Sequence, residues 1–136
     1  MRKLIIIMLI VFLWIPIGHV KVPLLERKVE KPLRVSVTMY TVDEKQTDST
    51  PLLTASGFEI DSLRPKKHRI IAVSRDLKKK LKFGQRVRVE GIGKWDGVYR
   101  VEDLMHSRWK NRIDILINPG DRAVSFKRAR LYVVKD

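Results

Sequence analysis

At 136 residues, the chain is long enough for one domain with a real hydrophobic core and too short for two. It holds no cysteine, which excludes a disulfide framework, a thiolate metal site and a lipidated cysteine. Its 29 lysines and arginines against 15 aspartates and glutamates leave a formal charge of +14, which implies either an anionic partner or a solvated, solubilising surface.

The chain opens with Arg2 and Lys3 ahead of an unbroken apolar run over residues 4–15, ending near Pro16 and Gly18. That layout predicts a signal peptide over residues 1–20. Because a bilayer core needs roughly 20 apolar residues, the alternative is a short membrane anchor through residues 4–17 rather than a stable span. Both readings export the protein to the periplasm or cell envelope. Export argues against nucleic acid as a partner and favours an anionic membrane or wall-polymer surface.

Residues 21–32 carry Pro23, Pro32 and mixed charge without periodicity, and read as a linker; the domain occupies residues 33–136. From Leu33 onward, Leu33, Val35, Val37 and Met39 alternate with Arg34, Ser36, Thr38 and Tyr40, the period of a half-buried strand. Similar patterns recur over residues 69–73, 86–90, 98–103, 112–117 and 129–134, with turn signals at Trp95-Asp96-Gly97 and Asn118-Pro119-Gly120. The expectation is an all-β domain, a closed barrel or a sandwich, with one or two short helices over residues 75–81 and 121–127. No internal repeat is visible, and the lysines at positions 78–80 are expected on the solvent face of the first helix.

Aspartate is depleted in strands, so Asp103 and Asp114 inside β patterns call for a reason. Alternation puts Asp103 on the inward face of Tyr99 and Val101, and Asp114 on the face opposite Ile113, Ile115 and Ile117. The segment 104–111 is short enough to return the chain as an adjacent strand, bringing the two acids together at the barrel mouth. Two like charges in a partly desolvated cleft would raise one carboxyl pKa, as a general acid requires. The alternative is a turn cap at Asp103 and an ion pair from Asp114 to Arg108 or Arg112. The histidines lack metal-ligand spacing, no nucleophile-elbow sequence surrounds Ser56, and no metal or cofactor is expected. Trp95, Trp109 and Tyr40 suit either sugar stacking or core packing.

Three stretches, MYTVDEKQTDSTPLLTASG (39–57), RIIAVSRDL with FGQRVRVEG (69–77 and 83–91) and YRVEDLMHSRWKNRIDILI (99–117), together resemble the three-aspartate (3D) domain family of bacterial cell-wall proteins. That family is similar in its core to the membrane-bound lytic transglycosylase A catalytic domain. The resemblance implies a small six-stranded double-psi β-barrel. It also implies lytic transglycosylase action on the glycan strands of peptidoglycan, with a non-catalytic peptidoglycan-binding module as the alternative.

On the family's pattern, Asp114 matches the acid/base position and Asp103 its partner. Tyr40, Asp48, Thr54, Ser56 and Gly57 match a cleft-lining loop, and Arg108, Trp109 and Arg112 line the substrate or orient the acids. Two positions depart from the pattern. Ser74 stands where the family has its first aspartate, with Asp76 two residues on as the supporting acid, and Gln85 follows Phe83-Gly84 where threonine is usual. A monomer is expected.

Overall fold

The computed structural model of the chain describes residues 30–43 and 50–135. The signal or anchor segment, most of the linker and Asp48 lie outside these described residues. Six strands, β1 (Leu33–Tyr40), β2 (Ile70–Val73), β3 (Arg86–Glu90), β4 (Gly97–Leu104), β5 (Arg112–Leu116) and β6 (Phe126–Val133), close into a barrel in the order β1-β5-β2-β4-β3-β6. Closure leaves no free sheet edge, which removes the usual template for unwanted strand pairing.

The sheet is mixed. β1 runs parallel to β5 and β2 parallel to β4, while the other four contacts are antiparallel. Exchanging β1 with β4, β2 with β5 and β3 with β6 maps β1–β5 onto β2–β4 and β1–β6 onto β3–β4 with the same sense and returns β2–β5 and β3–β6 to themselves, a pseudo-two-fold symmetry. This is the double-psi arrangement. The symmetry is one of topology, since the sequence shows no repeat between the halves.

Each strand sends two side chains into the barrel, from Val35 and Val37 on β1 through Ile71 and Val73, Val87 and Val89, Tyr99 and Val101, Ile113 and Ile115, to Ala129 and Leu131. Burying a valine or isoleucine contributes about 1.5–3 kcal/mol each, set against the ordering entropy of the chain. Short connections stop the barrel ends. After β2, helix α1 (Arg75–Lys78) inserts Leu77, and Leu81 follows it into the same core. Between β3 and β4, the 3-10 turn Gly93–Trp95 adds Trp95, with Ile92 ahead of it. Trp95 is therefore a core residue, and Tyr99 donates its hydroxyl to the Trp95 carbonyl at 2.5 Å.

Two expected elements change. The helix begun at Arg75 is shorter than the sequence implies, ending at Lys78, although the Leu81 N–H still reaches the Leu77 carbonyl. The helix expected over residues 121–127 does not form; residues 121–125 have no regular structure and β6 already begins at Phe126. Pairing of Phe126 with Val37 and of Ala129 with Val35 overrides local propensity, because barrel closure needs β6 against both β1 and β3.

Outside the barrel wall lies a second apolar cluster. Tyr40, Ile70, Ala72 and Leu116 come from the outer faces of β1, β2 and β5. They are covered by Ile60 and Phe58 from the β1–β2 connection and by Met105 and Trp109 from the β4–β5 connection. These two connections are equivalent under the pseudo-symmetry, and their described residues pack against the wall that carries Asp103 and Asp114.

Candidate active site

β4 and β5 are not hydrogen-bonded neighbours, contrary to the expectation from the short 104–111 connection; β2 runs between them. Ala72 of β2 is in register with Asp103 on one side and with Asp114 on the other, and Asp114 is also in register with Thr38 of β1. The four residues thus form one row across four strands. With neighbouring strands about 4.8 Å apart, the Cα atoms of the two aspartates are roughly 10 Å apart across one alanine. A methyl group is all that stands between them at the wall.

This shared face depends on a β-bulge. Ile71 pairs with Val101, but Ala72 pairs with Asp103, so Glu102 is an extra residue on β4. Strict alternation would turn Asp103 inward with Tyr99 and Val101, as the sequence implies. The bulge shifts the phase by one and brings Asp103 out onto the face of Ala72 and Asp114. The acids therefore meet on the outer wall and not in the barrel interior or mouth.

Their surroundings differ. Asp103 accepts hydrogen bonds from the Ala55 N–H at 3.0 Å, its neighbour Leu104 N–H at 2.9 Å and the Tyr40 hydroxyl at 3.2 Å. Burial and the negative charge of Asp103 push the Tyr40 phenol well above its ordinary value, so Tyr40 stays a proton donor in this contact. Asp114 is raised above the ordinary carboxylate value, first by burial. A hydrogen bond from the Thr38 side chain and the charge of Arg112 oppose that rise, and the charge of Asp103 adds to it. Its Oδ1 is sealed from solvent and has no hydrogen-bond partner. A carboxyl held in this way favours carrying a proton.

Thr54, Ser56 and Gly57, expected to line a cleft, fasten the loop to β4. The Ser56 hydroxyl donates to Glu102, the Ser56 N–H reaches the Glu102 carbonyl at 3.0 Å, and Thr54 and Ser56 hydroxyls lie 2.9 Å apart. Gly57 has φ 88, which closes the turn through its N–H to the Thr54 carbonyl at 2.9 Å. Glu102 is 6% exposed and also pairs with Arg100 at 3.4 Å, so this buried charge is answered on both oxygens.

On the other flank, Arg112 and Arg108 both stack on Trp109, at 4.0 and 4.7 Å from its ring centre. Arg112 Nε also donates to Ser36 Oγ at 3.3 Å. Asp76 lies away from the pair. Its Oδ2 accepts the Asn111 N–H at 2.9 Å, while the Ser74 hydroxyl accepts the Arg112 N–H at 3.1 Å, so the two tie α1 to the start of β5. Burial pushes the Asp76 carboxyl up, but hydrogen bonds from Ser74, Asn111, Leu77 and its own N–H outweigh it and hold the group below its ordinary value.

No family model matches the chain, and neither does any curated protein.

Thr38, Ala72 and Glu102 were not foreseen as site residues. Two consecutive acids at positions 102–103, breaking an apolar alternation, are the local trace of the bulge. Thr38 and Ala72 leave no such trace, because only strand register brings them to the acids. Among the described residues, no group of three or more histidine, aspartate and glutamate side chains is gathered to hold a metal ion. A cleft of about 550 Å³ opens elsewhere, around Arg34, Gly91 and Arg128, and includes neither aspartate.

Proposed function

We propose that the protein cleaves peptidoglycan glycan strands as a lytic transglycosylase, with Asp114 as acid/base and Asp103 as its charged partner. The observation that carries the reading is the unlike pair on one wall: a buried carboxyl with an unpartnered oxygen, opposite a carboxylate filled by three donors. The sequence resemblance to the 3D domains supports the same assignment. In this chemistry the Asp114 carboxyl gives its proton to the glycosidic oxygen as the bond to the muramyl C1 breaks. The muramyl 6-hydroxyl then attacks C1 and returns its proton to Asp114, leaving a 1,6-anhydro ring. One acid serves both steps, so a second carboxylate to activate water is not required, unlike in hydrolytic glycosidases.

Asp103 contributes fixed negative charge opposite a positively charged C1, and Tyr40 and the Ala55 N–H hold it in place. Arg108 and Arg112, supported on Trp109, present cations to the lactyl or peptide carboxylates of the strand. Incubation of the full-length protein with isolated sacculi should release 1,6-anhydromuropeptides, read by mass spectrometry. Asp114→Asn should lower the rate by about 10²- to 10⁴-fold. An unchanged product profile in that variant would remove the acid/base assignment.

One observation favours a second reading, a peptidoglycan-binding module without turnover: Asp76, two residues past Ser74, is engaged by the Asn111 N–H rather than turned to the pair. Sedimentation with insoluble sacculi and no soluble product would identify that module.

A further inference from the structure

We propose that two adjoining basic clefts on a different part of the barrel form one groove that binds a linear polyol-phosphate chain of the cell envelope. The first cleft, about 550 Å³, is lined by Arg34, Lys110, Lys127, Arg128 and Arg130 around the bare backbone of Gly91. The second, about 510 Å³, adds Lys31 and Lys80. Arg34 and Asn111 line both, so the two adjoin.

Of the two acids lining this groove, Glu90 is paired with cations, while Asp76 has no ion pair among the described residues and its Oδ1 is buried without a hydrogen-bond partner. Glu90 pairs with Arg88 at 3.0 Å and Arg130 at 3.6 Å, and Asp76 Oδ2 accepts the Asn111 N–H. Among the described residues, Arg34, Lys110, Lys127 and Arg128 have no carboxylate within ion-pair distance. Several unneutralised cations converging on a concave strip keep a strong positive potential, because low-dielectric walls focus the field. An exposed basic face answered by solvent alone would not need to be concave.

Shape and composition choose among polyanions. A lipid surface is flat and meets a convex or planar basic face, whereas these cations line a trough. Single-stranded nucleic acid is held largely by stacking on aromatic rings, and no aromatic residue lines either cleft. A chain whose only strong handle is a repeating phosphodiester fits lysines, arginines and bare backbone. Neither Asp103 nor Asp114 lines the groove, so binding there can fail without touching the glycan-cleaving reading, while the choice of an envelope polymer rests on the same export.

The test is fluorescence anisotropy of a labelled glycerol-phosphate oligomer with the full-length protein in mild detergent. Two triple variants are compared: Lys110→Gln/Lys127→Gln/Arg128→Gln in the groove, and Arg64→Gln/Lys82→Gln/Arg122→Gln outside it. Each lowers the formal charge of +14 by three. The groove variant should lose affinity at least about tenfold and the outer variant less than about threefold, with the groove variant's slope of log affinity against log salt shallower by about 2. Arg34→Gln alone, at the junction of the clefts, should weaken binding and serves if the triple variant melts early. Equal losses in both triples would mean that net charge, not the groove, binds, and would overturn the proposal. Tighter binding of an oligothymidylate of equal charge or of anionic vesicles would overturn it too, as would absence of binding to the oligomer.

Discussion

Asp114 combines a raised pKa with a buried oxygen that no donor satisfies, and both have a cost in stability. A carboxyl whose folded pKa exceeds its unfolded value of 3.8 binds its proton more tightly in the folded state. The stability it supplies is complete below pH 3.8 and is lost as pH rises through the folded value. Asp114→Asn has no proton to lose. At neutral pH it should be more stable than the parent, because it escapes the cost of ionising a buried carboxyl, and the gap should close in acid. Thermal melts from pH 3 to 8 measure this, and a gap independent of pH would show that burial of the ionised form is not its source. A gain in stability paired with a loss of turnover is the mark of a site strained for chemistry. Ala72 makes a companion case. Replacing it with leucine fills the space between the two acids, and should cost about 1–3 kcal/mol by overpacking while abolishing product release.

Among the elements, β4 decides the site. Its extra residue, Glu102, both turns Asp103 outward and anchors the 50–60 loop through Ser56. These two roles separate by mutation. Glu102→Ala keeps the bulge and loses the side chain, leaving Ser56 and Arg100 without their acceptor; urea unfolding should show a loss of about 1–3 kcal/mol with the barrel retained. Deleting Glu102 removes the bulge yet leaves Asp103 on the outer face, directly after inward-facing Val101, so that variant should lose the loop anchor but keep a cooperative transition. Loss of cooperative unfolding in the deletion variant would contradict the reading of Glu102 as the extra residue of β4. The strand patterns of β1 and β3 were legible residue by residue, because their one-sided alternation of valines with polar residues matches the barrel wall. β6 was not, since Asp121, Arg122 and Ala123 look helical locally and only pairing across the barrel extends the strand back to Phe126.

For the molecule as a whole, the ends of the barrel meet. Leu33 is in register with Leu131, and Glu30 pairs with Lys135 at 2.7 Å. A circular permutant joining these ends by a short Gly-Ser linker and opened at Pro119-Gly120 should therefore keep the same barrel. It turns the β6–β1 contact into a local hairpin and leaves the parallel β1–β5 and β2–β4 contacts untouched. Its refolding rate should rise, because a contact between distant parts of the chain becomes a near one. Stopped-flow fluorescence of Trp95, buried in the core, reports it; a slower rate would mean that β6 closes the barrel late.

Alternation, charge and the missing cysteines were enough to predict an all-β domain with a basic surface, since side-chain period and net charge are properties of the chain itself. The same patterns singled out Asp103 and Asp114 as acids in strands. They could not tell which faces those acids share. A period of two carries no record of an inserted residue until a partner strand counts it, and Ala72 on β2 is that partner. The closed order of strands, the single alanine between two carboxyls, and the groove where Arg34 meets Lys127 and Arg128 all rest on contacts between residues far apart in the chain, and so only the tertiary structure decided them.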